Sequence, residues 1–213
     1  MIRSLVERVA AGLLAADAPK SIAVPIFPLG AVLFPGGNLA LKVFETRYLD
    51  MAKACLKNAQ PFGVCLIREG AEVGAPAVPE AVGTIARIDD WDMEQLGVLQ
   101  LRVLGESRFR LLSSETSPAG LIVGSVEVIE ADQPFEGEAL AANVEFLKKV
   151  LPKVRAGQPP QEERYDDAAW VAFRVIELLP FSNAIKQKML ELTDAGMRLG
   201  ILQQFLREQR LIE

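Results

Sequence analysis

The spacing of apolar residues changes near Pro134, and this change restricts the fold more than any other feature of the sequence. Between Ile22 and Asp132 the apolar residues form short runs separated by glycine and proline, whereas after Pro134 they recur at helical spacing to the end of the 213-residue chain. Several short strands with one helix among them favour a closed or nearly closed β-barrel over a doubly wound sheet. We therefore predict an α+β protein with a β-barrel over residues 21–133 and a C-terminal helical subdomain over residues 134–213.

Within the barrel region, the pattern predicts short strands, one helix and one acidic connection. Pro25 and Pro28 interrupt the first strand, over residues 24–29, and indicate an edge or bulged strand because proline lacks a backbone donor. An acidic hairpin connection is expected at Asp89–Gly97, and a turn or bulge at Gly105. The remaining predicted elements are strands at 39–44, 62–67, 83–88, 99–103, 108–112 and 121–129, a surface loop at 69–82, and a helix at 46–57.

The helical subdomain carries its own start and stop signals. Its first helix has one apolar face and is expected to end at Pro152. Side-chain caps for three further helices are predicted at Asp166 or Asp167, at Ser182 and at Asp194. A separate amphipathic helix is predicted at residues 2–14, within an N-terminal segment and linker over residues 1–20. This helix packs on its own domain or forms the contact of a homo-oligomer.

The sequence contains no histidine, which removes Ser-His-Asp and Cys-His catalysis and most catalytic zinc sites. Cys55 and Cys65 lie in apolar runs without a CxxC spacing, so we interpret them as buried free thiols in a reducing compartment. A net charge of -5 argues against nucleic acid as a partner, because tracking phosphates requires a positive face. No apolar run is long enough for a membrane span, and no convincing signal peptide is present, so we expect a cytoplasmic protein without membrane contact.

The acidic residues around Trp91 match a calcium loop only in part. Asp90, Asp92 and Glu94 occupy positions one, three and five of the EF-hand pattern, but the glycine of position six and the glutamate of position twelve are missing. We therefore predict a solvated acidic loop and no metal site. Trp91 either folds back onto the core or is exposed as a contact residue.

A series of short motifs, each weak alone, occurs in a specific order along the chain. Together they resemble the Lon N-terminal domain family over roughly residues 22–208. The motifs in the barrel region are Val24–Leu29, Val32–Gly36, Phe44–Tyr48, Phe62–Val64, Val82–Ile88 and Gly105–Leu111. A looser similarity continues in the helical region, at Lys186–Glu191 and from Asp194 to Leu199.

This resemblance implies a PUA-like β-barrel followed by a helical subdomain, and protein binding rather than chemistry. In Lon proteases the region helps to select and hold protein substrates, and in cereblon a related barrel holds partner proteins. The GxxxxGK[ST] phosphate loop is absent, and the sequence has no room for the ATPase and protease domains, so we interpret it as a stand-alone form. The motif residues Glu45, Arg47 and Arg108 are expected to form caps and ion pairs rather than a catalytic site.

If the chain binds polypeptide, aromatic residues beside loops are the first candidates for contact residues. We predict Phe34, Pro35 and Trp91 as polypeptide contacts, with core packing as the alternative for Phe34. The predicted partner is unfolded or partly folded polypeptide, bound without catalysis, cofactor or metal. Two other functions stay open, namely an adaptor for one specific partner protein and an RNA-binding PUA-like module. A hydrolase has the least support, because there is no histidine.

Overall fold

The computed structural model describes residues 21–155 and 162–212. The helix predicted for residues 2–14 lies outside these described residues. The elements, in chain order, are strands β1 (Ile22–Leu29) and β2 (Asn38–Val43), helix α1 (Thr46–Asn58), strands β3 (Phe62–Glu69), β4 (Val78–Pro79), β5 (Val82–Gln95), β6 (Val98–Thr116) and β7 (Ile122–Val128), and helices α2 (Glu138–Val154), α3 (Ala168–Leu178), α4 (Asn183–Glu191) and α5 (Ala195–Glu208).

The sheet closes on itself through β1, which pairs antiparallel with β7 and parallel with β3. The resulting ring runs β1-β7-β6-β5-β3 and returns to β1. The prediction of an edge strand for β1 is therefore wrong. Its ladder to β7 covers residues 22–26 and its ladder to β3 covers residues 26–29, so Pro25 and Pro28 each have a strand partner on one side only. A missing donor is tolerated on the side without a partner.

The predicted α+β class is confirmed, but the barrel is not regular, because β5 and β6 extend beyond the ring as a ribbon, and β2 pairs with β6 on the other side from β5. The acidic segment predicted as a connection is mostly part of β5, and Leu96 and Gly97 form the turn. Its polar and apolar residues alternate with the period of a strand, and Arg102 of β6 pairs with Asp90 at 3.0 Å and with Asp89 at 3.4 Å. Cross-strand ion pairs thus allow an acidic strand where sequence reasoning expected a loop.

The helical subdomain follows its sequence signals closely. Asp167, Ser182 and Asp194 each accept a hydrogen bond from the backbone N–H three residues later, at 2.9, 3.4 and 2.8 Å, which confirms the predicted caps. Pro152 lies inside α2 rather than ending it, and two further helical residues follow. None of the helices in the described ranges is both long enough and apolar enough to cross a membrane.

The helices pack on the barrel through an aromatic contact beside the Pro-Gly-Gly turn. Phe34 is completely buried, and its ring centroid lies 5.3 Å from that of Phe173 in α3. Arg174 holds the turn from the same helix, donating hydrogen bonds to the carbonyl oxygens of Gly36 at 2.5 Å and Pro35 at 2.9 Å. The turn is thus a contact between barrel and helices.

A buried cluster of charged residues makes a second connection between barrel and helices. Asp132, just after β7, accepts hydrogen bonds from Arg108 of β6 at 2.6 Å and from Arg198 of α5. Arg108 also donates to the Leu190 carbonyl oxygen at 3.0 Å. Burial lowers the pKa of Arg108, and the neighbouring Asp132 carboxylate opposes that effect. The structural role expected for Arg108 is therefore confirmed.

Candidate functional site

The three aromatic and proline contacts predicted from the sequence occupy three different environments. Phe34 belongs to the core and presents no surface to a partner, so core packing is the correct alternative for it. Pro35 is half-buried and lines the groove between the barrel and α3, beside Trp170. Trp91 lies on the ribbon with 55% of its surface exposed. The structure therefore does not bring the three residues together.

A different surface combines exposed apolar residues with a free strand edge. We call it the edge groove, and its volume is about 330 Å³. It runs along β2 between the end of β1, the start of α1 and the loop at residues 70–77. The residues that line it are Phe27, Leu29, Ala31, Leu39, Ala40, Leu41, Lys42, Val43, Phe44, Glu45, Tyr48, Glu72 and Val73.

Strand β2 forms one side of the edge groove, and among the described residues its backbone is paired on one edge only. It runs antiparallel to β6, from Asn38 opposite Leu104 to Val43 opposite Leu99. Within residues 21–155 and 162–212 no strand pairs with the opposite edge of β2. Unpaired N–H and C=O groups along such an edge are free to bond a further extended chain.

The side chains of β2 alternate between the core and solvent. Leu41 and Val43 are buried and Leu39 is half-buried, whereas Ala40 and Lys42 are exposed. Because cross-strand neighbours point to the same face, the inward set continues the apolar row of β6, whose members are Leu99, Leu101 and Val103. Strand β2 thus has one face on the barrel core and the other in solvent.

Two exposed apolar side chains flank the edge groove. Phe44, directly after β2, keeps 49% of its surface exposed, and Val73 keeps 55%. Val73 belongs to the loop at residues 70–77, whose Glu72 accepts a hydrogen bond from the backbone N–H of Gly30 at 2.5 Å. The Gly30 carbonyl oxygen accepts a hydrogen bond from Asn183 at the start of α4. The loop wall is thereby tied to the barrel and to the helical subdomain.

Glu45 and Arg47 fix the end of the edge groove where α1 begins. Arg47 is buried, pairs with Glu45 at 3.0 Å, and donates to the Gly120 carbonyl oxygen at 3.1 Å. Its guanidinium lies 4.6 Å from the ring centroid of Tyr48. Burial raises the pKa of Tyr48, and the positive charge of Arg47 partly offsets this. The ion pair confirms the structural role expected for Glu45 and Arg47, although the Glu45 side chain makes no capping hydrogen bond to α1.

A second, more open depression begins on the other side of Phe44, and its lining mixes polar and apolar residues. It has a volume of about 550 Å³ and shares Phe44 and Glu45 with the edge groove. Pro76 and Pro118 supply further apolar lining. Phe44 therefore stands between two concave surfaces, a position suited to an aromatic anchor for a bound chain.

Sequence reasoning missed Phe44, although the sequence contained a signal for it. Leu39, Leu41 and Val43 alternate as the inward set of a strand, which leaves Phe44 out of phase with the core. An aromatic residue on the solvent side of a strand end is a contact candidate by that argument alone. The free edge of β2 had no such signal, because strand partners come from distant parts of the chain.

The arrangement of the edge groove is suited to binding. Its walls are mainly apolar, and Glu45 and Glu72 each have a hydrogen-bonding partner. In the part of the chain that the structure describes, no cluster of three or more Cys, Asp or Glu side chains is arranged to hold a metal ion.

The comparison with protein families gives one match that spans most of the chain. The family described as the ATP-dependent protease La (LON) substrate-binding domain matches residues 23–208. Lon protease 2 of Myxococcus xanthus is 28% identical over 204 residues, which cover 92% of this chain and 24% of that protein. Lon protease of Anaeromyxobacter dehalogenans is 26% identical over 197 residues, covering 89% and 23% respectively. The chain thus spans about a quarter of the length of these curated relatives.

Solved structures give the same result at the level of the fold. The crystal structure of a Lon N-terminal domain protein from Xanthomonas campestris has a TM-score of 0.71 and 38% identity, and the match covers 85% of this chain and 96% of that chain. The N-terminal domain of a Mycobacterium avium complex Lon protease has a TM-score of 0.61 at 19% identity, with the same coverage, and supports the fold alone.

Proposed function

Because the chain belongs to the Lon substrate-binding domain family, we propose that it is a non-catalytic domain that binds unfolded or partly folded polypeptide. The observation that carries the proposal is the edge groove, where exposed apolar side chains adjoin a strand edge that no strand pairs with in the part of the chain the structure describes. Unfolded chains expose apolar side chains and backbone groups together, whereas folded proteins bury most of both. A surface offering apolar area and backbone partners therefore selects for unfolded segments.

Phe44 is the proposed anchor of this surface. Its ring is half exposed between the two depressions, so an apolar side chain of a bound segment contacts it from either side. Aromatic residues at the centre of a contact contribute more binding free energy than the residues around them. Val73, on the facing wall, supplies apolar area without an aromatic ring.

We predict that Phe44→Ala weakens binding of a reduced, unfolded protein by about 1–3 kcal/mol, or about ten- to hundredfold in Kd. Fluorescence anisotropy of a labelled, permanently unfolded protein measures the change. The matched control is Leu112→Ala, which removes a similarly exposed apolar side chain from the outside of β6. Thermal unfolding of both variants establishes that each remains folded.

Equal affinity of folded Phe44→Ala and parent protein would exclude Phe44 as the anchor. If the parent protein does not bind unfolded chains at all, the adaptor function becomes the better proposal.

A separate observation favours the adaptor function, namely the exposed apolar side chains at the tip of the ribbon. Leu96 is 95% exposed at the turn, and Trp91 and Met93 are exposed on β5 below it. Projecting apolar side chains of this kind suit a preformed pocket on one partner protein. Trp91 therefore remains a proposed contact, in this case for a specific partner. A pull-down that returns one protein from a lysate, and that loses it with Trp91→Ala, would favour this function over general polypeptide binding.

A further inference from the structure

We propose that the free edge of β2 binds its target by strand addition, and that the preferred segment carries a carboxylate beside Lys42 with apolar residues on both sides of it. This inference rests on the proposed function and specifies the chemistry of the segment that the edge groove binds. An added strand forms hydrogen bonds with the backbone edge of β2, and its side chains point alternately inward and outward. The two faces of β2 therefore set two different requirements on the segment.

The inward face requires apolar residues. Side chains of an added strand that point to this face enter the edge groove next to Leu41, over the rings of Phe27 and Tyr48. These two rings are stacked with their centroids 4.2 Å apart, and both are buried. A polar side chain placed over these two rings would lose part of its hydration, which disfavours it relative to an apolar side chain.

The outward face carries a positive charge that no carboxylate of the described residues pairs with. Lys42 is exposed, and its neighbour on β6 is the uncharged Gln100. Among the described residues that line the edge groove, Lys42 is the one cation, and no ion pair within 4.0 Å engages it. Opposite charges on neighbouring strands stabilise the pairing, so a Glu or Asp beside Lys42 is favoured over a Lys.

The other charges of this region are already engaged. Glu45 pairs with the buried Arg47, and Glu72 accepts the Gly30 N–H. Arg102, one strand further along the same face, pairs with Asp89 and Asp90. Lys42 is therefore the charge that is left to interact with an incoming segment.

The outer edge of the ribbon is a poorer acceptor for the same segment. Residues 89–95 of β5 pair with β6 on one side, and three aspartates stand in this stretch, namely Asp89, Asp90 and Asp92. Asp89 and Asp90 pair with Arg102, but among the described residues Asp92 makes no ion pair, so a carboxylate-bearing strand added there meets like charge beside Asp92, which destabilises cross-strand pairing. The charge pattern thus directs the segment to β2.

Synthetic peptides test the charge requirement directly. The host is a capped, monomeric eight-residue peptide of alternating Val and Thr with one central Thr replaced by Glu or by Lys. With the parent protein, we expect the Glu peptide to bind roughly threefold more tightly than the Lys peptide at low salt, and the difference to disappear at about 1 M salt. In Lys42→Glu the preference should reverse. The matched control is Lys57→Glu, an exposed lysine on α1 that does not line the edge groove, which should keep the parent's preference.

Backbone methylation tests the mode of binding. Alternate N–H groups of a strand point to the same edge, so one Glu peptide is N-methylated on its Val residues and a second on its other residues. If binding is by strand addition, one methylated peptide should lose affinity by about tenfold or more, and the other should bind nearly as tightly as the unmethylated Glu peptide. The peptide that loses affinity identifies the direction of the added strand.

The outcomes separate the inference from the proposed function. Equal loss with both methylated peptides contradicts strand addition, and an unchanged Glu preference in Lys42→Glu contradicts the assigned charge contact. In both cases the parent would still bind unfolded protein, and the proposed function would stand. Failure of the parent to bind both the peptides and unfolded protein contradicts the proposed function itself.

Discussion

Cys65 lies deep in the interior of the barrel. Its side chain is buried among Val24, Ile26 and Phe109. Burial raises the pKa of this thiol to about 12, with a smaller contribution from the negative charge of Glu80. Cys55 and Cys65 are both free and buried, as the apolar runs around them predict.

The buried thiol makes stability depend on alkaline pH. Below about pH 9 the thiol is protonated in both the folded and the unfolded chain. Between pH 9 and the folded pKa of about 12, the unfolded chain loses this proton and the folded chain retains it. The free energy of unfolding therefore falls as pH rises, by at most about 1.4 kcal/mol per pH unit.

We predict that urea denaturation at pH 8 and pH 10.5 gives a loss of stability about 2 kcal/mol larger in the parent than in Cys65→Ala. The other groups that titrate in this range, including Tyr48, are present in both proteins, so their effect cancels when the two losses are compared. The same pH-dependent loss in both proteins would show that the thiol is not protected as the structure describes.

Single residues could be predicted from the sequence where their role is local. The caps at Asp167, Ser182 and Asp194 required only the residues that follow each of them. Phe34 could not be assigned, because its contact Phe173 lies far along the chain. The aromatic residue and the turn beside it are compatible with a contact surface until α3 covers them.

At the scale of elements, α5 contains two glycines in opposite environments. Gly200 is exposed inside the helix, and no heavy atom would lie within 4 Å of an added Cβ. At Gly196 an added Cβ would lie 2.5 Å from Cδ2 of Phe135. The first glycine only adds conformational freedom to the unfolded chain, whereas the second makes room for an aromatic ring.

We predict that Gly200→Ala raises the free energy of unfolding by about 1 kcal/mol, equivalent to roughly 2–4 °C in Tm for a chain of this size. Gly196→Ala, made in the same helix, should lower it because Phe135 must move. Calorimetry of the two variants measures both changes. Destabilisation by Gly200→Ala would mean that the outer face of α5 is covered in the native protein.

The strands show why element boundaries were harder to predict than helix caps. The prolines of β1 indicated an edge, but two ladders that meet at Ile26 accommodate them inside a closed ring. The acidic charges of residues 89–95 indicated a loop, but Arg102 compensates two of them across the ribbon. In both cases the deciding partner comes from a distant strand, which a local pattern does not reveal.

At the scale of the whole molecule, the barrel and the helices pack against each other within the described residues. The contact of Phe34 with α3 and the buried Asp132 between Arg108 and Arg198 both cross between them. The change of apolar spacing near Pro134 was sufficient to predict this two-part α+β organisation. The edge groove was not predictable, because β2, α1 and the loop at residues 70–77 meet only in the folded chain.

Hydrogen–deuterium exchange in the presence of a reduced, unfolded protein tests polypeptide binding at the edge groove most directly. Residues 38–44 and 70–76 should exchange more slowly when the polypeptide is bound, because β2 gains a partner and the facing loop is covered. Strand β7, which is paired on both sides, serves as the internal reference and should not change. Binding accompanied by slower exchange only in the ribbon at residues 89–97, or unchanged exchange throughout β2, would contradict the assignment of the edge groove as the polypeptide-binding site.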